Sequence, residues 1–177
     1  MIKKLMISAA LVLLVLGQMI TAKAFGQEKK EVPIIQDSFA ARQMSPFDTW
    51  KVYLKAADPD GNMRNIFAVV DQAGVGQYPL SITRIKNESQ KELSGYVYLT
   101  TFGPSTSLLN YVELNLTIWV QDRSGNFSQP VTFPLSLNTT YNQEAPPQGK
   151  FKEQDLGPIM IRLHPVTESA GLWTHEP

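Results

Sequence analysis

The chain contains no cysteine and only 2 histidines in 177 residues. The first absence excludes disulfides, thiolate nucleophiles and cysteine-bound metals, so stability has to come from a packed core. The second leaves only His164 and His175, both near the C-terminal end, a poor basis for a serine–histidine relay or a histidine-rich metal centre. A Gly-rich phosphate loop is missing too, and beyond the first two dozen residues there is no helical period longer than about two turns. Paired carboxylates do occur at Asp58 and Asp60, yet a turn without an apolar pocket gives neither of them a raised pKa. The expectation is a protein that is not an enzyme.

Long apolar runs are scarce as well. One extends from Leu5 to Leu16 behind Lys3 and Lys4, and Ala22-Lys23-Ala24 places small residues at −3 and −1 of a cleavage point after Ala24. This is the pattern of a secretory signal over residues 1–24, followed by a linker at 25–31. Gly17 and Gln18 keep the run short of the roughly 20 residues that a spanning helix needs, so no stable transmembrane segment is expected after cleavage. Of 16 basic and 16 acidic residues, the signal removes Lys3, Lys4 and Lys23, which leaves 13 against 16 and a net charge of −3. Nucleic acid is therefore not an expected partner. The lysine-led signal points to a bacterial protein that is secreted or periplasmic.

What the chain does have is period two. Trp50, Val52, Leu54 and Ala56 alternate with Lys51, Tyr53, Lys55 and Ala57. Ile66, Ala68 and Val70 share a face between Arg64 and Asp71, and the run breaks at Gly74-Val75-Gly76. Leu80 and Ile82 open a strand that becomes polar through Arg84 and Lys86, and Tyr96 and Tyr98 oppose Val97 and Leu99 in the next. The strongest signal is Val112, Leu114, Leu116, Ile118 and Val120, which predicts a central strand. Val131, Phe133, Leu135 and Leu137 follow, and Pro134, which has no N–H for a ladder, predicts a sheet edge there. A strand within Val32–Ala41 completes seven.

Two of these runs end on the same phrase, Asp58-Pro59-Asp60-Gly61-Asn62 and Asp122-Arg123-Ser124-Gly125-Asn126. Asp and Asn close local turns, and Gly supplies the positive φ that other residues resist. With strands Val52-Tyr53-Leu54-Lys55-Ala56-Ala57-Asp58 and Ile118-Trp119-Val120-Gln121-Asp122 leading into these turns, and Val131-Thr132-Phe133 after the second, the chain resembles the bacterial immunoglobulin-like and fibronectin type III-like domains of exported proteins. The resemblance covers Val32 to Leu137. It implies an all-β, seven-stranded immunoglobulin-like β-sandwich over residues 32–140, preceded by the signal peptide and followed at 141–177 by a Pro-rich linker and a partly extended tail with a short apolar strand at 158–164. It further implies that both turns and the Asn87–Leu93 segment gather at one end, and that Tyr111 stands where the family places its corner tyrosine.

Two sites are candidates. Asp58, Asp60 and Asn62 alternate as calcium ligands do in loop sites, with Asp122 and Asn126 able to approach from the other turn and Arg123 and Lys91 beside them as partner contacts; the same residues also serve simply as turn closers. No other cofactor is implied. The second candidate is the outward face carrying Phe67, Val69 and Trp119, which either meets a partner or is covered by the apolar tail residues Ile159, Met160, Ile161 and Leu163. Tyr96 and Tyr98 form a similar outward pair. The expected role is a non-catalytic domain that binds an envelope protein or glycan, with a structural accessory or spacer subunit as the alternative.

Overall fold

A computed structural model describes residues 31–166. The expected signal peptide, most of the linker before Val32, and the end that carries Trp173 and His175 lie outside the described residues.

The described chain is all-β, in two mixed sheets that share one core. The first sheet has four strands: β1 (Ile34–Ala40), β3 (Thr49–Ala57), β7 (Glu92–Thr100) and β10 (Asp155–Pro158), in that order. The second runs β2 (Gln43–Met44), β9 (Val131–Leu137), β8 (Glu113–Asp122), β4 (Met63–Gln72) and β5 (Gly76–Gln77), with β6 (Ser81–Arg84) also on β4. Between β6 and β7, and between β7 and β8, lie single 3-10 turns at Asn87–Ser89 and Thr106–Leu109. Among the described residues no helix is long and apolar enough to cross a membrane.

The alternation seen in the sequence is the alternation of burial. Trp50, Val52, Leu54 and Ala56 of β3 face Ile66, Ala68 and Val70 of β4 and Leu114, Leu116, Ile118 and Val120 of β8 across the core. Each such side chain contributes about 1.5–3 kcal/mol when taken out of water. The Trp50 indole N–H, fully buried, donates to the Ala41 carbonyl at 2.9 Å, so the largest core side chain carries no unmet polar group. β8 is flanked on both sides by β4 and β9, as a central strand should be. β9 is an edge at Pro134, since β2 joins it only at Ser136 and Leu137.

Two expectations are corrected, those for Tyr111 and for the tail strand, and the phase of β6 is set from outside the strand. Tyr111 is 78% exposed at φ 65, a surface turn residue rather than a corner tyrosine, because the chain must reverse there to let its N–H reach the Leu137 carbonyl at 2.7 Å. Leu80 and Ile82 point outward, and the side chain that turns inward from β6 is Ser81, whose hydroxyl accepts the Met160 N–H at 2.7 Å. The tail strand falls at Asp155–Pro158 rather than 158–164, and it pairs parallel to β7.

The described segment from Asn138 to Val166 runs back along the sheets as a strap. The Gln143 amide bridges Lys51 N and Thr49 O, and Phe151 lies against Tyr53 with centroids 5.6 Å apart. Tyr53 donates to Glu153 at 2.7 Å while Lys51 pairs with the other carboxylate oxygen at 3.0 Å. The strap then closes one seam between the sheets: Tyr96 N–H donates to Gln154 O on one side, and Thr83 Oγ1 donates to Pro158 O on the other. Ile159 and Leu163 enter the common core.

Candidate functional site

The two Asp-x-x-Gly-Asn turns and the Asn87–Leu93 segment do meet. Asp58 N–H donates to Lys91 O and Met63 N–H to Gln90 O, each at 3.0 Å, and Arg123 N–H donates to Asn62 O at 3.0 Å. The Arg123 guanidinium reaches the Gln90 side-chain oxygen at 3.1 Å. Gly61 and Gly125 supply the left-handed turns at φ 66 and 87.

Both leading aspartates turn inward, each only 1% exposed. Asp58 accepts the N–H groups of Asp60 and Asn62 on its two oxygens at 3.1 and 3.4 Å. Asp122 accepts Asn126 N–H at 2.8 Å and the Asn126 side-chain amide on its other oxygen. The expectation that the turn leaves Asp58 without a raised pKa is corrected here: burial, only partly offset by those N–H bonds, holds its carboxyl above the ordinary carboxylate range, and the charges of Asp60 and Asp122 act in the same direction. Asp58, Asp60, Asn62, Asp122 and Asn126 thus form two closed turns instead of a ring of outward oxygens, and among the described residues no three His, Cys, Asp or Glu side chains converge as a metal site. Asp60, Arg123 and Lys91 remain exposed at this end.

The second candidate is the outer face of the six-stranded sheet. Phe67 on β4 and Trp119 on β8 are direct cross-strand partners, and their rings stack with centroids 6.2 Å apart and planes 5° from parallel. Phe127, just past the second turn, meets Phe67 edge-on at 5.5 Å. Ile82 lies opposite Phe67 on the other side, and Ile82 and Phe127 are 53% and 45% exposed. Val69, one step along β4, is half-buried beside them. Trp119, Phe127, Pro130, Thr117 and Ser128 bound a shallow depression of about 360 Å3.

Among the described residues the tail does not cover this face. It covers the outer face of the other sheet, where Phe151 packs on Tyr53 and Tyr53 on Tyr96, and it fills the seam beside β6. That cover includes a fastening the sequence reading missed: the Tyr78 hydroxyl donates to Gln72 Oε1, Gln72 Nε2 donates to His164 O at 2.6 Å, and His164 N–H donates back to the Tyr78 hydroxyl at 2.8 Å. Gln72, a polar residue ending an apolar strand on its buried face, was the one available signal. A larger groove, about 480 Å3, lies between Thr100–Thr106 and Ile161–Pro165, but its buried hydroxyls are already bonded, Thr101 to Pro46 O and Asp48 O and Thr106 to Thr101 O and Gly103 O.

No protein-family model, no curated protein and no solved structure matches this chain.

Proposed function

We propose that the chain is an exported, non-catalytic recognition domain of the immunoglobulin-like or fibronectin type III-like β-sandwich class, which holds an envelope protein or glycan on the outer face of its six-stranded sheet. The observation that carries this reading is the unequal treatment of the two outer faces. The aromatic face of the four-stranded sheet is covered by the chain's own strap, with Phe151 on Tyr53, whereas Phe67, Trp119, Phe127 and Ile82 on the other sheet have no such cover among the described residues. Stacked aromatics on a rigid, uncovered surface are the usual anchors of a binding interface. Export is supported by the signal pattern of residues 1–24.

The alternative, a structural accessory subunit lending its tail to a neighbour, has less support, because β10, Ile159 and Leu163 are engaged within their own chain. The test compares two double variants in capture of partners from an envelope fraction. Phe67→Ala with Trp119→Ala should abolish capture, and Lys91→Ala with Arg123→Ala should leave it intact. The reverse pattern would move the site to the loop end, and capture by both would refute the reading.

A further inference from the structure

We infer that two copies of this chain exchange straps: residues 150–166 of each close the seam of the other, in a symmetric dimer joined through the spans at 144–149. The exchange is independent of what the outer face of the six-stranded sheet holds.

The seam between β7 and β6 is a slot for an extended chain. On the β7 side Tyr96 N–H donates to Gln154 O at 2.9 Å and Ile159 N–H to Tyr98 O at 2.7 Å. On the β6 side the Thr83 hydroxyl donates to Pro158 O, and the Ser81 hydroxyl accepts the Met160 N–H. Gly95 leaves the space that the Gln154 carbonyl occupies. Ile159 and Leu163 are buried in the core, and Tyr78 with Gln72 ties down His164. The slot fits the strap's own sequence, and a second copy of the chain is a partner that carries it.

Nothing in the slot requires the strap to come from the same chain. β10 lies parallel to β7, and parallel neighbours cannot be joined by a tight turn. In sequence β10 follows β9, which belongs to the other sheet, so a long connection at 138–154 joins them. That connection is fastened on either side of a free middle. Gln143 bridges Lys51 N and Thr49 O, and Lys150 pairs with Asp37 at 2.8 Å. From Glu144 to Gly149, no residue makes a hydrogen bond or ion pair to the sheets among the described residues.

This span arches over open space. A hollow of about 220 Å3 lies beside Gln143–Pro146, and one of about 440 Å3 beside Gly149–Lys152. Lys150 N–H donates to Pro147 O at 3.3 Å, which closes a turn through Gly149 at φ 73. Opened out, the six residues reach about 20 Å, and Pro146 with Pro147 favours the extended form. Exchange gives up that one turn, while every contact from Lys150 onward forms again on the second copy.

A strap on a short tether competes for its own seam at an effective concentration on the order of millimolar. Exported chain refolded near that concentration should therefore yield particles of twice the monomer mass by light scattering. These should persist on dilution, since Ile159 and Leu163 must leave the core before the copies part. The chain has no cysteine, so one engineered thiol per chain reports the contact. Lys152 N–H meets Ser94 Oγ at 3.1 Å. When Ser94→Cys chains and Lys152→Cys chains are refolded together and oxidised, a disulfide from residue 94 to residue 152 joins two copies whose straps have crossed. A Cβ at Gly149 meets nothing within 4 Å, so Gly149→Val strains only the turn and should favour the dimer by about tenfold per chain. Pro146→Gly with Pro147→Gly should disfavour it. A chain that stays monomeric both unaltered and as Gly149→Val overturns the inference. So does a dimer that lacks the 94–152 link or is indifferent to Gly149→Val, because its copies then meet by another surface.

Discussion

Tyr78 holds His164 twice: its ring lies parallel to the imidazole, 1° apart in plane with centroids 6.0 Å apart, and its hydroxyl accepts the His164 backbone N–H at 2.8 Å. The same hydroxyl donates to buried Gln72, so one oxygen joins β4 to the strap at His164. Tyr78→Phe keeps the stacking and leaves both partners unmet, at a cost of about 1–3 kcal/mol. Denaturant titration should report that loss, and hydrogen exchange should show reduced protection at His164 before any change in β8.

Gly95 in β7 occupies a position that no other residue can fill without moving the strap. A Cβ there would overlap the Gln154 carbonyl and press on Leu156 at 3.0 Å. Because that carbonyl is the acceptor for Tyr96 N–H, Gly95→Ala should cost about 1–3 kcal/mol through overpacking and detach β10 from β7. Increased protease sensitivity near Asp155, with the remaining strands still protected, is the expected readout. Gly157, at φ 133 and with its Cβ position 2.7 Å from Thr83, should behave in the same way.

Tyr53 is pushed up to about 12, first by burial and then by its hydrogen bond to Glu153. A tyrosine whose folded pKa lies above its ordinary value near 10 contributes stability that is full below pH 10 and is lost as pH rises toward about 12. Glu153 is shifted the opposite way, held below its ordinary value of 4.5 by the Tyr53 hydroxyl and then by Lys51. Its contribution is present above that value and is lost as pH falls through the lower folded pKa. Glu153→Gln should bring the highest tyrosine transition down in an ultraviolet titration and flatten the acid limb of the stability curve. A titration curve that does not move would mean that Glu153 has no hold on Tyr53.

At the loop end, thermal unfolding in calcium and in chelator should coincide, because the oxygens of Asp58 and Asp122 already accept N–H groups of their own turns. Asp122→Ala should cost about 1–3 kcal/mol by leaving those donors unmet, whereas Arg123→Ala, on the exposed rim, should stay within about 0.5 kcal/mol. Asp58 adds a pH signature. Its raised carboxyl favours the folded state most below its ordinary value of 3.8, and that advantage disappears as pH rises through the folded pKa. Asp58→Asn should remove this slope in a stability profile between acid and neutral pH.

Much of the fold was legible from local pattern. Successive strand residues point to opposite faces, so Trp50, Val52, Leu54 and Ala56, or Leu114, Leu116, Ile118 and Val120, declare their buried side without reference to any partner. The turns were equally local, since Asp58 and Asp122 bond to residues two and four places on. The outward placement of Phe67, Val69 and Trp119 followed from the same alternation. Phe127 and Ile82 were not read as part of that face, because one lies in an irregular segment and the other on a strand whose phase is fixed from outside.

That strand shows where local pattern ends. Leu80 and Ile82 are more apolar than Ser81, yet Ser81 is the one buried, because its hydroxyl meets the Met160 N–H of a segment 79 residues away. The strap's path, which face it covers and which it leaves open, depends on a gap at Gly95, a hydroxyl at Tyr78 and a carboxylate at Glu153 being brought together in space. Alternation along a strand is a property of neighbouring backbone dihedrals and can be read one element at a time. The choice between two aromatic faces is a comparison of long-range contacts, and those exist only once both sheets have formed.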